Sequence, residues 1–192
     1  MNFLRYSNPI RTSAWPHQGG SSLLEVLVAI LLISVGLLGI AGLSSATFSY
    51  NKAAQLRLTG LALVNDYADR ARVNVYGYDL EAYDIGLSDT KPSAITLTGA
   101  AQPNPLTAAQ NVAQFDRRAF MTSVENRLPQ GRAVVESNPS LNARDLDVWL
   151  LWKEPQADAA DSLFTAGQEN CPNDLGTDDK AAYSCMYFKV GL

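Results

Sequence analysis

Histidine occurs once in this 192-residue chain, as His17, and cysteine twice, as Cys171 and Cys185. These numbers exclude a four-ligand zinc module of the Cys/His kind and leave little room for a histidine-based catalytic apparatus. Charge is scarce as well. Asp, Glu, Lys and Arg make up 18% of the residues, below the roughly 25% of an ordinary soluble protein. The 15 basic residues are outnumbered by 19 acidic ones, for a net charge of −4. That balance speaks against a nucleic-acid partner, which calls for a basic patch. The nucleophile elbow, the paired-histidine zinc motif and the phosphate-binding loop are all missing. An enzyme is therefore not expected, and no cofactor or metal is implied. Asp174, Asp178 and Asp179 lie close in sequence, but their spacing is not that of an EF-hand, and they read as a solvated acidic loop.

Other absences are local. The first 24 residues hold Arg5, Arg11 and His17 but no Asp or Glu. Proline is missing between Pro16 and Pro92, and charge is missing from Val26 to Leu43, where Ser34 is the one polar side chain. Residues 21–43, taken as a helix, span about 35 Å at 1.5 Å per residue, enough for a bilayer core of about 30 Å. Cations precede this run, and the next one after it is Lys52. The positive-inside rule then places the N-terminus in the cytoplasm and sends the remainder across. An ordinary secretory signal puts its apolar core before the small residues of the cleavage site. Here Gly19-Gly20 comes first, so a cut after Gly20 leaves the apolar segment on the mature chain.

Glu25 stands near the front edge of that segment. A carboxylate within a membrane costs about 3 kcal/mol on insertion scales, so Glu25 calls for a cationic partner or for a place at headgroup level. A cut after Gly20 would free an amine on Ser21, one helical turn away. Between staggered chains, one amine could pair with a neighbour's Glu25 and set the axial register of packed helices.

A short basic leader ending in Gly20, the residues Ser21, Ser22, Leu23, Leu24 and Glu25, and the run VLVAILLISVGLLGIAGL together resemble the class III prepilin signal. Type IV pilins and type II secretion pseudopilins share this pattern, and the run looks most like the PilV group of minor pilins, the type IV pilus modification proteins. Ser21 stands where the family usually has Phe. The resemblance implies cleavage by prepilin peptidase between Gly20 and Ser21, N-methylation of the new amine, residence in the inner membrane, and assembly into a surface filament. It implies other minor pilins and the major pilin as partners, with a tip adhesin as a candidate further one. The function implied is a minor pilin aiding pilus initiation or assembly. The alternative is a minor pseudopilin of type II secretion, and a more distant one is a signal-anchored periplasmic binding domain.

The helical pattern continues past the apolar run. Leu56, Gly60, Leu63 and Tyr67 recur at spacings of three and four beside Leu61, Val64, Ala68 and Ala71, which marks an amphipathic helix over 44–74. Lys52, Arg57, Asp66, Asp69, Arg70 and Arg72 fall on its other faces. Gly36, Gly39 and Gly42 allow close helix approach within the apolar half. Residues 75–106, rich in Gly and Pro, read as mostly loop, with a short strand over 94–98. A helix is expected over 107–128, capped by Thr107 with Gln110 three residues on, presenting Phe120, Val124 and Leu128 with Val112 and Phe115 nearby. Strands follow over 133–136, 145–154 and 183–190. In the second, Leu146, Val148, Leu150 and Trp152 share one face while Trp149 and Leu151 share the other. In the third, Met186, Phe188 and Val190 form the apolar face.

Helices first and strands afterwards give an α+β class. The expected architecture is pilin-like, a long N-terminal helix packed on a small antiparallel sheet. Residues 1–20 form the cleaved leader, 21–43 the membrane or filament-core helix, 44–74 its amphipathic continuation and 75–192 a periplasmic head. With the head outside the cytoplasm, Cys171 and Cys185 are expected to form a disulfide.

Overall fold

A computed structural model of the chain describes residues 23–96, 104–139, 143–153 and 170–192. The order of elements is α1 (Leu23–Val73), α2 (Val75–Asp79), α3 (Pro105–Arg127), β1 (Arg132–Pro139), β2 (Arg144–Trp152), α4 (Thr177–Ala182) and β3 (Ser184–Gly191). The class is α+β, with a long N-terminal helix and a small antiparallel sheet of pilin-like architecture. The chain forms two compact units, one up to Thr47 and one from Phe48 onwards.

In the first unit α1 is built from Leu, Ile, Val, Ala and Gly without proline. From Leu23 to Leu43 its large apolar side chains are exposed, from 45% at Val26 to 85% at Leu23. A helix apolar on every side requires lipid or other helices around it. Three hydroxyls along it are satisfied by the helix itself. Ser34 donates to the Ile30 carbonyl at 2.7 Å, Ser44 to Ile40 at 2.9 Å and Thr47 to Leu43 at 2.9 Å. That removes most of the cost of placing a hydroxyl in an apolar medium.

In the second unit α1 buries Leu56, Gly60, Leu63, Val64, Tyr67, Ala68 and Ala71, the face expected from their spacing. Leu61 lies off that face and is exposed. The stripe packs with Phe120 and Val124 of α3 and with Leu146, Val148, Leu150 and Trp152 of β2 in one core. Strand order is β1-β2-β3, both pairs antiparallel. Val135, Val148 and Phe188 lie in register across the three strands. The opposite face is covered in part by a second cluster of Val134, Leu151, Leu175, Tyr183 and Cys185.

Several local expectations are corrected. The first residues of α3 are set by Asn104, not Thr107: the Asn104 side chain accepts the Leu106 N–H at 3.0 Å, and Pro105 opens the helix. Proline at the first helical position has its fixed φ already helical and lacks an N–H that would go unpaired there. Phe115 is exposed, and Asp116 takes the inward position beside it. Residues 94–96 form no strand, and 97–98 lie outside the described residues. Between α2 and α3 the chain instead pairs Ile85 with Val135 through two backbone hydrogen bonds of 2.9 Å. The turn after α3 needs its glycine: a Cβ on Gly131 would lie 2.5 Å from the Val124 carbonyl oxygen.

Candidate functional site: the N-terminal segment and the network that anchors its helix

The cleavage pair Gly20 and Ser21 lies outside the described residues, which begin at Leu23. Glu25 sits in the first turn of α1. A carboxylate is favoured there by the helix dipole. Immediately behind it runs the most apolar stretch of the chain, and α1 is the one helix among the described residues long and apolar enough to cross a membrane. A Cβ on Gly36, Gly39 or Gly42 would meet nothing within 4 Å. Their small size is therefore not demanded by contacts among the described residues.

Further along, α1 is tied down by a buried polar network. Asp116 of α3 accepts from Arg70 Nη1 at 3.1 Å and from the Tyr83 hydroxyl at 2.8 Å. Asn74 donates to the Tyr83 hydroxyl at 3.2 Å and to the Ala109 carbonyl at 2.8 Å. Tyr67 donates to the Tyr83 carbonyl at 2.6 Å and stacks on Phe120, ring centroids 4.2 Å apart. Burial pushes the Tyr67 hydroxyl well above its ordinary range. Burial does the same to Tyr83, with the Asn74 hydrogen bond opposing and the Asp116 hydrogen bond adding to the rise. Both phenols therefore stay protonated and serve as fixed donors. The polar atoms of this network find their partners within it, as buried polar groups must, and none is left as a nucleophile. Its chemistry is attachment, joining α1, α3 and the segment around Tyr83.

Sequence reasoning missed this network. The available signal was Asp116 itself, which falls between Ala113 and Phe120 on the stripe Ala109, Ala113, Phe120, Val124 that α3 buries. A charge at helical spacing inside an apolar stripe calls for a buried partner.

Cys171 and Cys185 form the expected disulfide, with Cα atoms 5.0 Å apart. It ties the segment after Asn170 to β3, and Cys185 lies in the second cluster beside Leu151. Trp149, on the same sheet face, is half-buried against Tyr187, ring centroids 5.1 Å apart. The expected acidic loop is corrected in part: Asp178 and Asp179 fall within α4, and Asp179 lies 3.9 Å from Arg132. Among the described residues no three His, Cys, Asp or Glu side chains gather as metal ligands would.

Residues 15–41 match the family model of the prokaryotic N-terminal methylation motif. No curated protein and no solved structure matches the chain. The matched residues take in Gly20, Ser21 and Glu25 and most of the apolar half of α1. The chain thus carries a prepilin-type N-terminal signal, which supports a structural, type IV pilin-like subunit.

Proposed function

We propose that this protein is a minor pilin of the PilV group, a structural subunit that aids initiation or assembly of a type IV pilus. The observation that carries this reading is the position of the methylation motif: residues 15–41 run into the exposed apolar half of α1, and the same helix continues into the core of an α+β head. Prepilin peptidase would cut between Gly20 and Ser21 at the cytoplasmic face of the inner membrane and methylate the Ser21 amine. The subunit would wait as a single-pass membrane protein with its head in the periplasm. It would then join other minor pilins and the major pilin, with a tip adhesin as a candidate neighbour, through packing of the α1 apolar surface. In that packing Glu25 would face the N-terminal amine of an adjacent subunit. Leaving one charge of a buried pair without its partner costs about 3–5 kcal/mol.

The test is a deletion strain complemented with the wild type or with Glu25→Ala. The Ala variant is expected to be cleaved and to accumulate in the membrane, yet to fail in restoring surface pili. Full restoration of pili by the variant would reduce Glu25 to an interfacial residue. Loss of protein secretion rather than of pili in the deletion strain would move the chain to the pseudopilins of type II secretion, which carry the same signal. Retention of the leader on functional protein would favour an anchored binding domain.

A further inference from the structure

On the sheet face turned away from the α1 core, Val134 and Trp149 are cross-strand partners. They floor an open groove of about 330 Å³. One wall is the segment 84–87, fastened to β1 by the Ile85–Val135 hydrogen bonds. The other is the Pro172–Asp174 turn, next to the Cys171–Cys185 disulfide. The floor is apolar, and the indole of Trp149 packs on the Tyr187 ring at a tilt of 37°.

The rim has one sign of charge. Asp84, Glu136 and Asp174 line the groove, with no Lys, Arg or His among the described residues lining it. None of these three carboxylates forms an ion pair with another described residue. By contrast, most other carboxylates among the described residues of the head are already matched, such as Asp79 with Arg144 at 2.7 Å and Asp89 with Arg117 at 3.1 Å. Glu136 and Asp174 are exposed. Asp84 is held in place by accepting the Ser137 N–H at 2.8 Å.

An aromatic floor beneath unmatched carboxylates repels anions and gives a neutral apolar ligand no use for the rim. It complements a cation with a flat face. Guanidinium meets both demands: its plane stacks on an indole, and its edge donates paired hydrogen bonds to carboxylates. The volume suits one side chain with its flanking backbone, at the small end of ligand pockets. We propose that this groove is a docking site for an arginine side chain presented by a partner protein, with the guanidinium over Trp149 and its N–H groups shared between Glu136 and Asp174. The docking site does not depend on which filament or machine the subunit serves.

The full chain in zwitterionic detergent micelles, labelled with ¹⁵N at tryptophan, tests this. The probe is the blocked tripeptide Gly-Arg-Gly, with the citrulline analogue as its neutral isostere. The Trp149 indole signal, assigned through Trp149→Phe, should shift saturably with the arginine peptide, while the signals of Trp15 and Trp152 stay in place. Citrulline should produce no saturable shift. The double variant Glu136→Gln, Asp174→Asn changes two exposed side chains and should keep the fold. It should raise the dissociation constant about fivefold or more, as expected when two charge-assisted contacts are lost at a partly exposed site. Equal shifts with citrulline, or equal affinity of the double variant, would overturn the proposal. So would calcium chloride moving the Trp149 signal at lower concentration than the arginine peptide, which would make the groove a metal site.

Discussion

Gly60 and Leu150 meet where α1 packs on the sheet: a Cβ added at Gly60 would lie 3.1 Å from Cδ1 of Leu150. The same operation at Gly36, Gly39 or Gly42 reaches only open space. One helix therefore uses glycine in two ways, for contact inside the head and without an internal reason in the apolar half. Gly60→Leu should force the sheet or helix to shift and destabilise the head by about 1–3 kcal/mol. Gly36→Ala should stabilise the helix by roughly 0.8–1 kcal/mol. Thermal unfolding of both variants in micelles, followed by circular dichroism, checks the opposite signs.

The Asp116 network gives a second prediction. Asp116→Ala leaves the buried Tyr83 hydroxyl with only the Arg70 carbonyl, at 3.4 Å, as an acceptor and takes from Arg70 one of its two carboxylate partners, the other being Asp66 at 3.0 Å. An unsatisfied buried group costs about 1–3 kcal/mol. Arg70 is partly exposed and regains water, so its share is small. Asp116→Asn keeps an acceptor for Tyr83 and should lose less. Urea unfolding of the two variants against wild type separates them.

Much of this fold is legible in the residues. The buried stripe of α1 and the face Leu146, Val148, Leu150, Trp152 follow from apolar spacing, because a helix repeats near 3.6 residues and a strand at two. Glu25 and Gly20 stand out because a lone acid before a long uncharged run is costly without a purpose. What the residue pattern left open is in part local and in larger part dependent on tertiary partners. Asn104 caps α3 because Pro105 begins it, and the choice between Asn104 and Thr107 turns on that one proline. The Ile85–Val135 bridge joins residues 50 positions apart, and no local pattern marks it. The groove on the outer sheet face joins four such separate segments.

Asp84 predicts a pH effect. Burial raises its carboxyl above the ordinary value, with the hydrogen bond from the Ser137 N–H opposing. A folded-state value above the unfolded one means that the folded chain holds this proton more tightly. The group thus penalises the fold at neutral pH, and the penalty is relieved as pH falls through the raised value toward the ordinary value of 3.8. Asp84→Asn should raise the melting temperature relative to wild type at neutral pH and lose that advantage in acid. An equal difference at both pH values would show that the effect is not ionisation.

The disulfide should matter to the head alone. Closing a loop of this length is worth about 3 kcal/mol in the chain-entropy model, and Cys171 and Cys185 are 14 residues apart. Cys171→Ser should lower the melting temperature of the head and expose the cluster around Leu151 and Tyr183, measured as faster proteolysis between Asn170 and Ser184. Membrane insertion of the protein should be unchanged.

The N-terminus of the protein recovered from membranes or filaments tests the central claim most directly. Mass spectrometry should find it at Ser21, carrying one added methyl group, with residues 1–20 gone. Protein that begins at any other residue, or that functions with its leader still attached, would contradict the assignment of a pilin-type subunit.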